Sequence, residues 1–217
     1  MAYILNNPDV ILRLIGQHLF MTVTALIISI AIALPLSVLL LRSERLASIV
    51  LGILGILYTI PSIALLILLL PLFGLNQTSV IVALIIYTQI ILVRNMVTGL
   101  KEVPAATLEA ARGMGMSNWQ SWIRVQLPLA LPVILAGVRI ATIVAIAIAT
   151  IGAKFGAGGL GTLLFDGIAQ NRYDKIVAGS LVVVVIAVIL NRLLIAAERH
   201  FDTTAHSQRQ QKTIPSV

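Results

Sequence analysis

Long, uninterrupted runs of apolar residues dominate the chain, and short polar clusters separate them. The run Leu19–Leu41 is bounded by His18 and by the charged cluster 42–45. The next run, Leu46–Val93, contains no charged residue and is interrupted only by the turn-forming stretch 71–77. A helix needs about 20 apolar residues to cross the hydrocarbon of a bilayer. The first run therefore predicts one membrane span and the second run predicts two.

Two further apolar runs follow, so the pattern predicts about five spans, at 19–41, 47–70, 79–93, 129–151 and 176–197. Backbone groups in lipid must be hydrogen-bonded within their own segment, which makes these spans helices. Composition supports this, because 59% of the residues are hydrophobic and only 11% are charged. A soluble domain is closer to half apolar and a quarter charged. The predicted fold class is an all-α, polytopic membrane protein.

The segment before the first span permits two interpretations. Asn7-Pro8-Asp9 precedes a set of apolar residues at helical spacing, namely Val10, Ile11, Leu14 and Ile15. These residues predict either a short interfacial helix or an extension of span one. The expected organisation is an extracytoplasmic N-terminal segment (1–17), a membrane domain (18–198) and a polar cytoplasmic tail (199–217) that is expected to be disordered.

Basic residues are distributed unevenly between the two sides that five spans define. The side with the 42–45 loop, the segment between spans three and four, and the C-terminal tail carries roughly ten Lys and Arg, whereas the other carries roughly four. The positive-inside rule then places the N-terminus outside and the C-terminus in the cytoplasm of a bacterial inner membrane. Because the basic residues occur singly rather than in a patch, the charge of +7 does not indicate nucleic-acid binding.

The segment between spans three and four predicts two short helices around a glycine turn. Pro104 suits the first turn of a helix, and Gly113 and Gly115 are expected to stop it. Ser117 and Gln120 form a capping-box pattern that starts the second helix. The small side chains of the first helix, at Ala106, Ala110 and Ala111, are expected to form a surface that another protein can approach closely.

The spacing of this segment resembles the EAA signature of ABC-importer permeases. Glu109-Ala110-Ala111 is followed by Gly115 and by Leu127-Pro128, with Val125 where isoleucine is usual. The resemblance implies the type I ABC importer permease fold. It also implies that Glu109, Ala110, Ala111, Gly113 and Gly115 belong to a coupling segment that docks on an ATPase subunit.

Several other segments are similar to permeases for osmoprotectants such as glycine betaine, choline and carnitine; they are 59–66, 94–100, 136–139 and 156–167. The resemblance implies that the chain moves a cargo of this type, with methionine or another amino acid as an alternative. A non-transporting membrane scaffold is the alternative from a different class, and it leaves the EAA spacing unexplained. The glycines of 156–161 are expected to shape an external turn near the dock of a binding protein.

The chain is not expected to be an enzyme. No lysine follows a glycine, so the sequence has no Walker A loop, and ATP and Mg²⁺ are expected to be used by a separate ATPase. His18, His200 and His206 lie far apart and predict no metal site. The resemblance implies four kinds of partner: a second permease, identical or homologous; two ATPase subunits at the cytoplasmic face; an extracytoplasmic substrate-binding protein; and membrane lipid.

Two tyrosines near the middle of predicted spans are candidates for a translocation pathway. Membrane tyrosines prefer the interface, so Tyr58 and Tyr87 at mid-depth indicate either pore-facing positions or core packing with a hydrogen-bonded hydroxyl. Thr59, Pro61 and Ser62 are expected to open a kink beside them.

Asn95 and Arg139 complete the set of pathway candidates. A charge as deep in a span as Arg139 either faces a cavity or partner or extends to the interface. The chain has too few membrane aromatics for a tight quaternary-ammonium cage, because both tryptophans, Trp119 and Trp122, fall in the cytoplasmic segment. High affinity is therefore expected to reside in the separate binding protein.

Overall fold

A computed structural model describes residues 2–201, and within that range the chain is helical and forms no strand. The helices are α1 Ala2–Asn6, α2 Pro8–Leu40, α3 Glu44–Thr59, α4 Ser62–Phe73, α5 Gln77–Lys101, α6 Ala105–Gly113, α7 Asn118–Ser121, α8 Leu127–Gly152, α9 Gly161–Ala169 and α10 Tyr173–Phe201. A π-helical turn, Trp122–Gln126, joins α7 to α8, and a 3₁₀ turn, Ala153–Phe155, follows α8.

The bundle has two distinct ends. One holds the connections 41–43 and 102–126 and the end of α10, and Lys101 Nζ lies 3.4 Å from Glu44 Oε1 there. We call it the basic end. The other holds the connections 74–76 and 153–160, where Gln77 Nε2 donates to the Ala157 carbonyl at 3.2 Å. We call it the glycine end.

The chain crosses between these ends five times if the bent pair α3 and α4 counts as one span. These two helices meet at 95°, yet α3 begins at the basic end and α4 finishes at the glycine end. About five spans are therefore confirmed, but the kink expected at Thr59, Pro61 and Ser62 is a complete break that divides the second span into two helices. Pro61 has no backbone N–H and forces Ile60 into an extended conformation, φ −63° and ψ 126°, which breaks the helix.

The helices extend beyond the predicted apolar runs. α2 has 33 residues and starts at Pro8, so the N-terminal segment is an extension of span one, preceded by the short α1. α8 continues through the π-helical turn into α7. The predicted borders at 17/18 and 198/199 fall inside α2 and α10. The tail beyond Phe201, including His206, lies outside the described residues.

The core forms around α5, which packs between α2 and α8. Buried polar side chains link α2 to α5: Ser29 and Thr88 share a hydrogen bond of 2.8 Å between their hydroxyls, and Gln89 Nε2 donates to the Ser29 carbonyl at 3.2 Å. Gly152 lets α8 approach α5 closely, since a Cβ there would lie 2.7 Å from Val80 Cγ1. This close packing holds α8 against α5 near the glycine end.

The short helix α9 was not predicted. The glycines of 156–161 do form a turn at the glycine end, with φ near +75° at Gly156, Gly158 and Gly159. The chain then folds back as α9, which lies against α10. A Cβ at Gly179 of α10 would lie 2.8 Å from Leu163 Cβ, so this glycine permits the close contact.

Candidate functional site

The helix–turn–helix unit at the basic end is built by local hydrogen bonds. α6 ends in a Schellman arrangement: the Met116 N–H donates to the Ala111 carbonyl at 3.2 Å, and the Gly115 N–H donates to the Arg112 carbonyl at 2.9 Å. Gly115 has φ +82°, which favours glycine there. Gly113 is therefore the last helical residue of α6, and Gly115 turns the chain away from the helix.

The second helix of the unit starts as predicted. The Ser117 side chain accepts from the Gln120 N–H at 3.3 Å, and the Gln120 side chain accepts from the Ser117 N–H at 2.9 Å. This reciprocal capping box satisfies donors that would otherwise be unpaired at the start of a helix. A helix of only four residues is thus fixed in its orientation.

The outer surface of this unit combines apolar and charged groups. Glu109, Ala110 and Gly113 are exposed, together with Met114 at 72% and Trp119 at 67% exposure. The Trp119 ring stacks on Trp122 with centroids 5.3 Å apart, so the exposed ring is held rigidly. Exposed aromatic and methionine side chains beside a charged rim are typical of a protein-docking surface. We call this patch, within 105–123, the docking surface.

Ala111 does not belong to the docking surface, contrary to the prediction. It is only 1% exposed, because α6 packs against α7 and the π-helical turn. Successive residues of a helix point about 100° apart, so Ala110 and Ala111 cannot share one narrow face. Leu108 of α6 instead packs against the buried cluster that contains Leu100 of α5, which links α6 to the membrane helices. Gln126 adds a further link, because its Nε2 donates to the Leu100 carbonyl at the end of α5, at 3.2 Å.

A second cluster of candidate residues lies at the break between α3 and α4. The Tyr87 hydroxyl donates to the Ile60 carbonyl, and the Tyr58 and Tyr87 rings meet edge to face with centroids 5.7 Å apart. A depression of about 360 Å³ opens here. Its lining comprises Tyr58, Thr59, Ile60, Pro61, Ser62, Tyr87, Val144, Ala147 and Ile148.

An adjoining depression of about 420 Å³ extends from Tyr58 towards the basic end and is lined in part by Arg94 and Asn95. The Asn95 Nδ2 donates to the Ile91 carbonyl at 2.8 Å, and the Asn95 side chain packs on Gly137 of α8. The structure thus brings six of the seven predicted pathway candidates along one continuous face: Tyr58, Thr59, Pro61, Ser62, Tyr87 and Asn95.

Arg139 is the candidate that the structure places elsewhere. Its Nε lies 3.2 Å from Glu198 Oε2 of α10, and it lines neither depression. Glu198 lies three residues before the end of α10, so the contact between Arg139 and Glu198 lies towards the basic end. No local sequence signal pairs Glu198 with Arg139, because the two residues lie on helices far apart in the chain.

Gln17 at the glycine end was also missed. Its Oε1 accepts from the Gly159 N–H at 3.0 Å and thereby fixes the glycine turn to α2. His18 beside it is fully buried against the same turn. The contact joins residues 142 positions apart in the chain, and no local sequence signal indicates it.

Comparison with known proteins yields consistent similarities. A family model described as the binding-protein-dependent transport system inner membrane component matches residues 25–206. The carnitine transport permease protein OpuCB of Listeria monocytogenes is 39% identical over 80% of this chain and 80% of its own length. The osmoprotectant import permease protein OsmW of Salmonella typhimurium is 40% identical over 88% of this chain and 92% of its own length.

Solved structures share the fold. The MetNI methionine ABC transporter in an inward-facing conformation has a chain that matches with a TM-score of 0.81 and 24% identity, covering 90% of this chain and 98% of that one. A chain of an amino acid ABC transporter crystallised with histidines matches with a TM-score of 0.74 and 20% identity, covering 92% and 97%. At these identities the likeness concerns the fold alone.

Proposed function

The chain belongs to the family of binding-protein-dependent transport system inner membrane components, and from this membership we propose that it is the permease subunit through which an ATP-driven importer moves a small osmoprotectant of the glycine betaine, carnitine or choline type. The fold is that of ABC importer permeases, as the sequence resemblance implied. The protein is a multi-pass protein of the inner membrane.

The observation that carries the coupling part of the proposal is the docking surface at the basic end. Its exposed Glu109, Met114 and Trp119 offer a rigid patch, and Glu109 forms no ion pair within the described residues. The partner that fits is an ATPase subunit, because the sequence itself has no Walker A lysine. ATP and Mg²⁺ bind to that subunit, and no cofactor is assigned to this chain.

The proposed assembly contains two permeases, two ATPases and one binding protein. Five spans give an incomplete wall for a pathway, which supports a permease pair around a central axis. ATP binding would draw the two docking surfaces together. Since Leu108 of α6 packs against the buried cluster that contains Leu100 of α5, and Gln126 links the π-helical turn to α5, this movement would reach the membrane helices.

The proposed orientation places the basic end in the cytoplasm and the N-terminus outside. The support is the excess of Lys and Arg at the basic end, in agreement with the positive-inside rule. The glycine end would then face the binding protein. The face that carries Tyr58, Tyr87 and Asn95 is proposed to line the pathway.

The proposed cargo class rests on the curated relatives. The relatives at 33–40% identity are named for osmoprotectants, glycine betaine, carnitine or choline, whereas the methionine and amino acid transporters share the fold at 20–24% identity. The osmoprotectant proposal is thus favoured over the amino acid alternative. A non-transporting scaffold is disfavoured because the family is one of transport components.

The test is ATP-dependent uptake of labelled glycine betaine into proteoliposomes that contain this chain, its ATPase and its binding protein. We expect saturable uptake that requires ATP and that choline and carnitine inhibit. Vesicles without the binding protein are the control. Stimulation of ATP hydrolysis by the binding protein without betaine uptake would refute the cargo and retain the permease role. Absence of both uptake and stimulation would refute the permease role.

A further inference from the structure

We infer that the broken second span holds a transient binding site for the quaternary ammonium group of the cargo. The site consists of the Tyr58 and Tyr87 rings and the carbonyl end of α3. This inference rests on the proposed function and deepens it, because it identifies where within this chain the cargo stops on its way across the membrane.

The break must face a water-filled space rather than lipid. Within residues 2–201, the carbonyl oxygens of Tyr58 and Thr59 accept no backbone hydrogen bond, because the helix breaks after Thr59 and α4 starts in a new direction. Ser62 belongs to the same lining. Unpaired backbone groups at membrane depth are tolerated where they line a cavity, not where they meet hydrocarbon.

The two tyrosines give this space walls that attract cations. Their planes are inclined at 70°, so the rings form a corner, and Tyr58 is 41% exposed. The hydrogen bond from the Tyr87 hydroxyl to the Ile60 carbonyl fixes the Tyr87 ring against the break. A cation within about 6 Å of a ring centroid is attracted by the negative ring face. Quaternary ammonium groups use this attraction because they have no N–H to donate.

The helix geometry adds a further attraction of the same sign. The C-terminal end of a helix carries a partial negative charge, since its last carbonyl groups have no partner in the helix. α3 directs that end into the depression. The partial charge and the ring faces therefore favour a cation at the same place.

The site is suited to brief occupancy. The residues that line this depression include none with a formal charge, and two rings form a corner rather than a closed cage. A transport pathway needs binding that is strong enough to admit the cargo and weak enough to release it. The volume of about 360 Å³ lies at the small end of the range for small-molecule sites, about 300–1,000 Å³.

The test is a substitution series at position 58 in the reconstituted importer, at saturating concentrations of loaded binding protein. We expect Tyr58→Phe to retain uptake of glycine betaine, Tyr58→Trp to equal or exceed it, and Tyr58→Leu to lower the rate about three- to tenfold, as expected for the loss of one cation–π contact. Phe20→Leu, an equivalent loss of an exposed ring on α2, is the matched control and should retain uptake.

The possible outcomes distinguish failure of the inferred binding site from failure of the proposed function. If the wild-type importer takes up betaine and Tyr58→Leu is equally fast, the site is refuted while the proposed function stands. If the wild type shows no uptake, the proposed function is refuted and this inference with it. If Tyr58→Leu does not assemble, the test uses a series of tryptophan analogues that carry increasing numbers of fluorine atoms. They are introduced at position 58 alone, and the rate of uptake is measured for each. A rate that falls with each fluorine supports the site, and a constant rate refutes it.

Discussion

At the residue scale, the contact between Arg139 and Glu198 explains how a charge is accommodated deep in an apolar helix. The two side chains are partly buried, and Arg139 Nε lies 3.2 Å from Glu198 Oε2. Removing one partner would leave the other charge in a poorly solvated position, which costs more than the pair itself contributes. The pair therefore joins α8 to the last turn of α10.

We predict that Arg139→Ala or Glu198→Ala destabilises the protein by about 1–3 kcal/mol, which is below the range for fully buried pairs because both groups retain some exposure. The midpoint of thermal unfolding in detergent measures this effect. Arg192→Ala, an exposed position on α10, is the matched control and should have little effect. An Arg139→Glu and Glu198→Arg double variant less stable than either reversal alone would contradict the pairing.

Glu109 is the charged residue of the docking surface whose role is most easily tested. We predict that Glu109→Lys lowers ATP-dependent uptake at least tenfold, because a reversed charge at a protein interface costs several kcal/mol, and that membrane insertion remains normal. Glu44→Lys, a charge reversal at another exposed glutamate at the same end of the bundle, should retain uptake. Normal uptake by Glu109→Lys would refute the coupling assignment.

At the element scale, the apolar runs predicted which segments are helical and roughly where they cross, because burial in lipid imposes one requirement on every span. The sequence indicated a kink near Pro61 but not a turn of 95°, since the angle depends on the packing of α4 against α5. It also placed Ala111 on the surface. An alanine-rich helix has too little contrast between its faces to show which one meets the bundle.

The helix α9 was not predicted, for a related reason. It has only nine residues, begins with a glycine and contains a second one. Local propensity assigns glycines to turns. Its stability comes from close contact with α8 and α10. A Cβ at Gly161 would collide with the Thr150 carbonyl oxygen of α8 and lie 2.8 Å from Ala153 Cβ. The glycines are thus selected by packing and not by the local turn.

We predict that Gly161→Ala destabilises the protein by about 3 kcal/mol, since the backbone carbonyl of Thr150 cannot move aside without distorting α8. The amount of folded protein recovered from the membrane should fall several-fold. Gly16→Ala in α2 is the matched control, because no atom lies within 4 Å of the added methyl group. Equal recovery of the two variants would contradict the proposed packing of α9.

At the scale of the whole molecule, the two ends of the bundle correspond to the two sides that the sequence predicted. The helix order brings the 41–43 connection, the docking surface and the end of α10 to one end, as the alternation of five spans required. Contacts such as Gln17 with Gly159 were beyond prediction, because they join distant segments whose proximity is a result of the fold.

The orientation of the bundle in the membrane can be tested directly. Alkaline phosphatase is active only outside the cytoplasm, so we predict inactive fusions after Arg45 and after Phe201 and an active fusion after Asn76, in the connection at the glycine end. Fusions to a green fluorescent protein should give the opposite pattern. Active phosphatase at Arg45 or Phe201 would refute the proposed orientation.

The broken span also constrains how the protein enters the membrane during synthesis. α3 has 16 residues and α4 has 12, which correspond to lengths of about 24 Å and 18 Å, whereas the hydrocarbon is about 30 Å thick. Neither half can be released into lipid alone. Moreover, the Ile60 carbonyl receives its hydrogen bond from Tyr87, which the ribosome makes later, as part of α5. The insertion machinery must therefore hold α3 and α4 until α5 has emerged, and then release the three helices as a single unit.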